Sequence, residues 1–234
     1  MCALEAPNRT SVYYQHTGGL PLASRLSVLA RHRMFTTFME CFCPGPATSI
    51  LDVGVTSDAS FAESNYFERM YPHPDRITCV GTEDGSHLTA LYPGVRYLRV
   101  APGQPLPFGD REFDIVFSNA VVEHAGDSGS QRQFIREALR VSNGFFITTP
   151  NRWFPVEVHT GLPLLHYLPA PAFRRLIAGT RYRFWADEDH LNILDARAFR
   201  ELFPRDIQVE LRRVRVGGLA SNLVALGWRK GERP

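Results

Sequence analysis

The sequence predicts an α/β domain: a doubly wound, mostly parallel sheet closed by an antiparallel C-terminal hairpin. Three observations carry that prediction. From Leu20 to Thr149, short branched apolar runs alternate with stretches of helical periodicity, the pattern of a parallel sheet covered on both faces. The first run, Ser49–Ile50–Leu51–Asp52–Val53–Gly54, ends in an acid and a glycine, as a strand does where it turns at a ligand-binding sheet edge. The last two runs flank Gly217–Gly218, a hairpin turn by composition.

Taken in order, Leu20–Glu40 carries Leu22, Leu26, Leu29, Ala30, Phe35 and Phe38 at helical spacing, and Pro44 and Pro46 end it. Strand one spans about Ser49–Val55. Ser60 and Glu63 form a capping box for a helix through Met70, which Pro72 stops. Ile77–Glu83 is strand two, Gly85–Leu91 a short helix and Val95–Val100 strand three. A Pro/Gly loop over Pro102–Asp110 leads to strand four, Phe113–Ser118. Ser130–Val141 is a helix with Phe134, Ile135, Ala138 and Leu139 on one side, stopped at Asn143–Gly144, and Phe145–Thr149 is strand five. From Asn151 to about Asn192 the alternation breaks: Pro155, Pro163, Pro169 and Pro171 punctuate a segment rich in aromatics and histidine. Asp195–Phe203 is a last helix, and Gln208–Val216 with Asn222–Arg229 makes the hairpin.

Composition narrows the function class. The chain has 234 residues, 44% hydrophobic and 21% charged, with a net charge of +2. One domain over 1–234 accommodates this length, and so small a charge gives no field that would select nucleic acid or an acidic membrane. No apolar run approaches the roughly 20 residues of a membrane span and no early stretch resembles a signal peptide, so a cytoplasmic protein is expected. Cys2, Cys41, Cys43 and Cys79 lack the spacing of a zinc site and read as reduced thiols.

Three strand ends carry groups suited to a ligand across the carboxyl edge. Strand one offers Asp52, Gly54 and the backbone N–H groups of Val55, Thr56 and Ser57. Strand two offers Glu83, placed to accept from both ribose hydroxyls, then Asp84. Strand four offers Ser118 and Asn119, followed by Val122–Glu123–His124. Together Ile50–Gly54, Val80–Gly81–Thr82–Glu83, Leu106–Pro107–Phe108 with Phe113–Ser118, and Val122–Glu123–His124 resemble the successive motifs of class I S-adenosylmethionine-dependent methyltransferases. The likeness is narrower still to the small-molecule branch with the ubiquinone and menaquinone pathway enzymes. It covers about Ser49–Pro150, and the hairpin matches the family's strands six and seven.

The resemblance implies a Rossmann-like sheet of seven strands with only strand seven antiparallel, and S-adenosyl-L-methionine as cofactor. By position, Asp52 through Thr56, including Gly54 and Val55, would hold the methionine end. Glu83 would hold the ribose, Asp84 would lie near the adenine and Asn119 beside the sulfonium. An N-terminal helical segment over 1–45 would cover the cofactor site, and 151–193 would form the acceptor site.

Two departures bear on this. The turn lacks the second and third glycines of a dinucleotide site, and Glu83 lies 29 residues past Gly54, beyond the usual interval of about 20. Bare backbone is needed to approach a pyrophosphate; S-adenosylmethionine has none, so the loss argues against a nicotinamide-dependent oxidoreductase. After strand three, Ala101–Pro102–Gly103 stands where many relatives have an aspartate for adenine, leaving backbone groups or Gln104. In relatives that methylate quinone precursors, an acid three residues ahead of the Glu–His pair completes a cation site. Here that position is Ala120, so no metal is expected, and Glu123–His124 reads as a helix-start pair shaping the pocket wall.

The 151–193 segment has two readings: an acceptor pocket with aromatic walls, or a surface subdomain whose aromatics are its own core. His124, His159 and His166 are the catalytic candidates, with Glu157 and His190 as further bases. The expected function is transfer of a methyl group to a small or lipid-like acceptor, most readily at oxygen, in secondary or specialised biosynthesis. A homodimer is allowed for. The alternative is a catalytically degenerate relative that serves as a partner subunit.

Overall fold

The computed structural model describes residues 21–58 and 64–229. A seven-stranded sheet has the order β3-β2-β1-β4-β5-β7-β6. The strands are β1 (Ile50–Val53), β2 (Ile77–Gly81), β3 (Arg96–Arg99), β4 (Phe113–Asn119), β5 (Ser142–Pro150), β6 (Glu210–Val216) and β7 (Leu219–Trp228). β1 pairs in parallel with β2 and β4, setting Asp52 opposite Cys79 and Phe117, and strand order reverses at β1. β7 alone runs against its neighbours, with Phe146 opposite Leu226. The Rossmann-like layout expected from the alternation is the one observed. The hairpin turns through Gly217–Gly218, whose φ values are +57° and +83°.

Burial on both sheet faces explains the unbroken apolar runs of the central strands. On one face lies α1 (Pro21–Phe42), where Ala30, Met34, Phe38 and Phe42 recur every fourth residue and are buried. Phe38 stands edge-on to Phe67, Phe117 and Phe146 at 5.2–5.5 Å, each pair adding about 1 kcal/mol beyond simple burial. The inward stripe is therefore displaced from the expected one: Leu29 is exposed, while Met34 and Phe42 face the sheet. The short α2 (Tyr66–Met70) shares this face. The Ser60–Glu63 capping box lies outside the described residues, as does Leu22's side chain.

The other face is covered by α4 (Ser128–Val141) and α6 (Ala196–Glu201). Each is capped by an aspartate: Asp127 Oδ1 accepts from Ser130 N at 2.8 Å, and Asp195 Oδ1 from Ala198 N at 2.8 Å. Two further helices are α3 (Leu88–Leu91), which precedes β3, and α5 (Ala170–Ala178), within the inserted segment. Asn143–Gly144 does not stop α4. The helix ends at Val141, and β5 begins at Ser142, whose hydroxyl donates to Ala138 O at 2.8 Å. Gly144 sits inside the strand, where a Cβ would come within 2.8 Å of the Trp228 ring, so the glycine serves packing.

Candidate functional site

The turn after β1 is held by its own neighbours. Gly54 has φ +98°, and a Cβ there would lie 2.2 Å from a Val121 methyl; only glycine combines that conformation with that approach. The N–H groups of Gly54 and Val55 both donate to Val80 O, at 2.8 and 3.1 Å. Thr56 N donates to Asn65 Oδ1 at 3.3 Å, Asn65 Nδ2 returns a bond to Thr56 O at 3.0 Å, and Thr56 Oγ1 accepts from Asp58 N. Ser57 donates to Glu83 Oε2 through Oγ at 2.5 Å and through N at 3.4 Å. The N–H groups that the sequence offers at Val55, Thr56 and Ser57 thus have protein acceptors: Val80, Asn65 and Glu83.

The remaining strand-end groups divide. Glu83 is brought to the turn and is half-buried. Asp84 is exposed, and its Oδ1 accepts from Ser86 N at 3.2 Å. Asn119 Oδ1 accepts from Thr148 Oγ1 at 2.8 Å across β4 and β5. Asp52 is buried against Glu68 of α2, which also accepts from Cys79 Sγ at 3.2 Å. Burial, then the Glu68 carboxylate, hold the Asp52 carboxyl well above the usual range. Sequence reading misses Glu68 and Asn65 because their roles depend on a helix folding back over β1.

As a cradle for S-adenosylmethionine this edge fits in part. Glu83 and the Cβ-free Gly54 are positioned, whereas the N–H donors that would meet a carboxylate already have partners.

A second cluster lies behind the ends of β4 and β5. A 3₁₀ turn, Val122–His124, follows Ala120, which has φ +56°. Glu123 is 1% exposed; its Oε2 accepts from Thr149 Oγ1 at 3.0 Å, and its backbone O from Asn192 N at 2.7 Å. The inserted segment begins and ends at one bridge, Asn151 with Leu194. Inside it, the bridge Val156–Pro163 closes a tight loop carrying Glu157 and His159. Glu157 is buried and accepts from Thr160 N at 2.6 Å, Thr160 Oγ1 at 2.7 Å, His159 N at 3.0 Å and His159 Nδ1 at 2.6 Å. That loop sets His159 Nε2 3.1 Å from His124 Nε2, while His124 Nδ1 bonds to His190 O at 2.6 Å. The fully buried Trp185 backs both rings, 4.7 Å from His159 and 5.8 Å from His124.

The electrostatics follow from this packing. Burial, then the His159 charge, lower His124 to about 3. Burial opposes the charge on His159, but the Glu157 carboxylate outweighs it and the pKa is raised. Burial would raise Glu157, yet the His159 charge and these hydrogen bonds hold it at about 2. Burial lifts Glu123 to about 7.

Of the catalytic candidates, His124 and His159 meet and His166 does not join them. His166 lies beside a cavity of about 10 Å³, lined also by Pro150, Phe154 and Glu157, roughly the room one water needs. Its Nε2 bonds to Phe154 O at 2.8 Å, and burial lowers its pKa. His190 stacks on Phe184 at 4.0 Å and contributes its carbonyl rather than its ring to the pair. Within the segment Phe173, Ile177, Trp185 and Leu191 form a small core of their own, and Trp185 also walls the histidines.

Residues 52–148 match the family described as "Methyltransferase domain". None of the curated proteins matches the sequence. Among solved structures the chain is similar to a protein of Pyrococcus horikoshii (TM-score 0.58, 14% identity, 93% of this chain and 98% of that one). It is also similar to a SAM-dependent methyltransferase of Aquifex aeolicus (0.51, 15%, 87% and 92%). A third likeness is to the N-methyltransferase NodS of Bradyrhizobium japonicum in complex with S-adenosyl-L-homocysteine (0.54, 14%, 86% and 87%). At these identities the likenesses show the fold. No helix among the described residues is long and apolar enough to cross a membrane.

Proposed function

We propose that the chain is a class I S-adenosylmethionine-dependent methyltransferase and that it methylates a hydroxyl oxygen of a small or lipid-like acceptor held by residues 151–193. One observation carries this reading: His159 of the segment meets His124 of the sheet edge at 3.1 Å, backed by Trp185 and fixed by Glu157. A hydroxyl must lose its proton as the new O–C bond forms, and imidazole nitrogens at a half-buried, aromatic-walled edge suit that task. The bound cofactor supplies an activated methyl and its leaving group. The protein's part is then alignment, exclusion of water and reception of the proton at an imidazole Nε2.

In this reading Glu83 holds the ribose hydroxyls, Asp84 lies near the adenine, Asp52 through Thr56 shape the methionine end, and Asn119 lies beside the sulfonium. Small charge and an aromatic-lined segment support a small-molecule acceptor over nucleic acid. The test incubates protein and S-adenosylmethionine with phenols, hydroxy acids and hydroxylated lipids, scoring S-adenosylhomocysteine and the methylated atom. O-methylated product is expected; methylation confined to nitrogen or carbon refutes the reading.

One observation favours a second reading, a weakly binding partner subunit. The N–H donors of the turn after β1 already bond to protein groups. Calorimetry separates the two: the methyltransferase reading expects S-adenosylhomocysteine to bind at micromolar Kd, the subunit reading expects none.

A further inference from the structure

Three ligand-bearing side chains converge behind β4 and β5: Glu123, His124 and His159 each bring one ligand atom to within 4.8 Å of the others'. The imidazole nitrogens are 3.1 Å apart, and His124 Nε2 is 4.0 Å from Glu123 Oε1. Glu123 Oε1 is buried without a hydrogen-bond partner although Oε2 has Thr149. Such an orphaned buried oxygen costs about 1–3 kcal/mol or more, so its placement requires a reason.

The rings around it are oriented in one particular way. Each commits Nδ1 to an oxygen, His124 to the His190 carbonyl and His159 to the Glu157 carboxylate, both at 2.6 Å. That fixes the tautomer with Nδ1–H donating and turns the ligating lone pair of each Nε2 inward. A carboxylate or carbonyl behind Nδ1 is the arrangement that orients metal-bound histidine. Donors about 2.0–2.2 Å from one ion lie about 3–3.5 Å apart; the two nitrogens already satisfy this, and the carboxylate must close by roughly 1–2 Å, a rotation of the Glu123 side chain.

We propose that Glu123, His124 and His159 bind one divalent transition-metal ion through a carboxylate oxygen and two Nε2 atoms. Two imidazoles favour a borderline ion such as zinc over magnesium or calcium, which prefer oxygen. Three protein ligands leave coordination positions open, as in reactive rather than structural sites. The third ligand is not the one sequence-local reasoning sought at Ala120; it comes from 35 residues past His124, in the inserted segment. The ion therefore joins the sheet edge to the inserted segment, where an open position suits a hydroxyl or phenolate oxygen of the acceptor. Only that last role rests on the O-methylation reading; the ion site does not.

The test uses the full chain, stripped with chelator and titrated at pH 7.5 with Zn²⁺ by calorimetry and with Co²⁺ by visible absorption, Mg²⁺ serving as the comparison ion. One equivalent of Zn²⁺ is expected with Kd below about 1 μM, together with Co²⁺ d–d bands and no saturable Mg²⁺ heat. Glu123→Gln and His159→Gln should each weaken Zn²⁺ at least 100-fold, and the exposed His32→Gln should leave it within threefold. Wild-type protein that binds no stoichiometric Zn²⁺ overturns the site and leaves the histidines sharing a proton; so does binding that survives both variants. Product analysis is scored apart. Metal bound without O-methylated product removes the acceptor reading alone, and O-methylation by metal-free protein removes the ion's role at the acceptor while the titrations still decide the site.

Discussion

The turn after β1 and the cluster behind β4 share one sheet edge and are built to opposite rules. Around Gly54–Asp58, donors of the turn find acceptors close by, and Glu83 closes onto Ser57. Around Glu123, buried polar atoms face one another with a carboxylate oxygen left over. Val121 touches both, its methyls filling the space a Gly54 side chain would need while it opens the turn to Glu123. The contrast separates two kinds of polar burial. A satisfied network fixes a shape, whereas an unsatisfied one stores capacity for a ligand.

The most forceful way to break this comparison is Gly54→Arg. A side chain at φ +98° would collide with Val121, and S-adenosylhomocysteine affinity should fall more than 100-fold by calorimetry while far-UV dichroism stays helical. Intact binding would place the cofactor elsewhere. Glu83→Ala comes next, with an expected loss of about 10–100-fold, the worth of one or two charge-assisted hydrogen bonds. Its counterpart Ser57→Ala removes one of the bonds that Glu83 Oε2 accepts, so affinity should hold or rise up to about threefold. A tenfold drop would show that Ser57 itself meets the cofactor.

Asp52→Asn sharpens the satisfied side through pH. A carboxyl held well above its unfolded value keeps a proton that the unfolded chain releases, so its contribution is full below about pH 4 and is lost as pH rises towards the folded value. Wild-type Tm should therefore fall relative to Asp52→Asn between pH 5 and 8, by about 2–4 °C for each 1 kcal/mol. Parallel curves would mean that Asp52 carries no such proton. The smallest effect belongs to Ala120→Gly. Relief of φ +56° outweighs the added chain entropy, for a gain of about 0.5 kcal/mol and 1–2 °C.

The sheet was legible because its signals are local. Branched apolar runs and Gly217–Gly218 each act within a few residues, and the strands fall within a few positions of expectation. Asn143–Gly144 misled because a stop signal and a strand glycine look alike until Trp228 is seen to pack there. That Glu83 and Gly54 share one sheet edge was readable from the strand ends. That Ser57 and Asn65 would occupy the turn was not, since this needs the chain to fold back from residue 65. His124 and His159 were each visible as histidines; their meeting depends on a loop whose closure, Val156 with Pro163, leaves little periodic trace.

The Asn151–Leu194 bridge has a consequence of its own. Arg152 N also donates to Leu194 O at 2.9 Å, so the long excursion leaves and rejoins the domain at neighbouring points. A loop with its ends already together can change length at a small entropic cost, growing only as the logarithm of length. The segment thus behaves as a cassette: its contents can diverge without disturbing the sheet that carries it. Another 151–194 segment could be grafted between the same two anchors with the sheet left as it is.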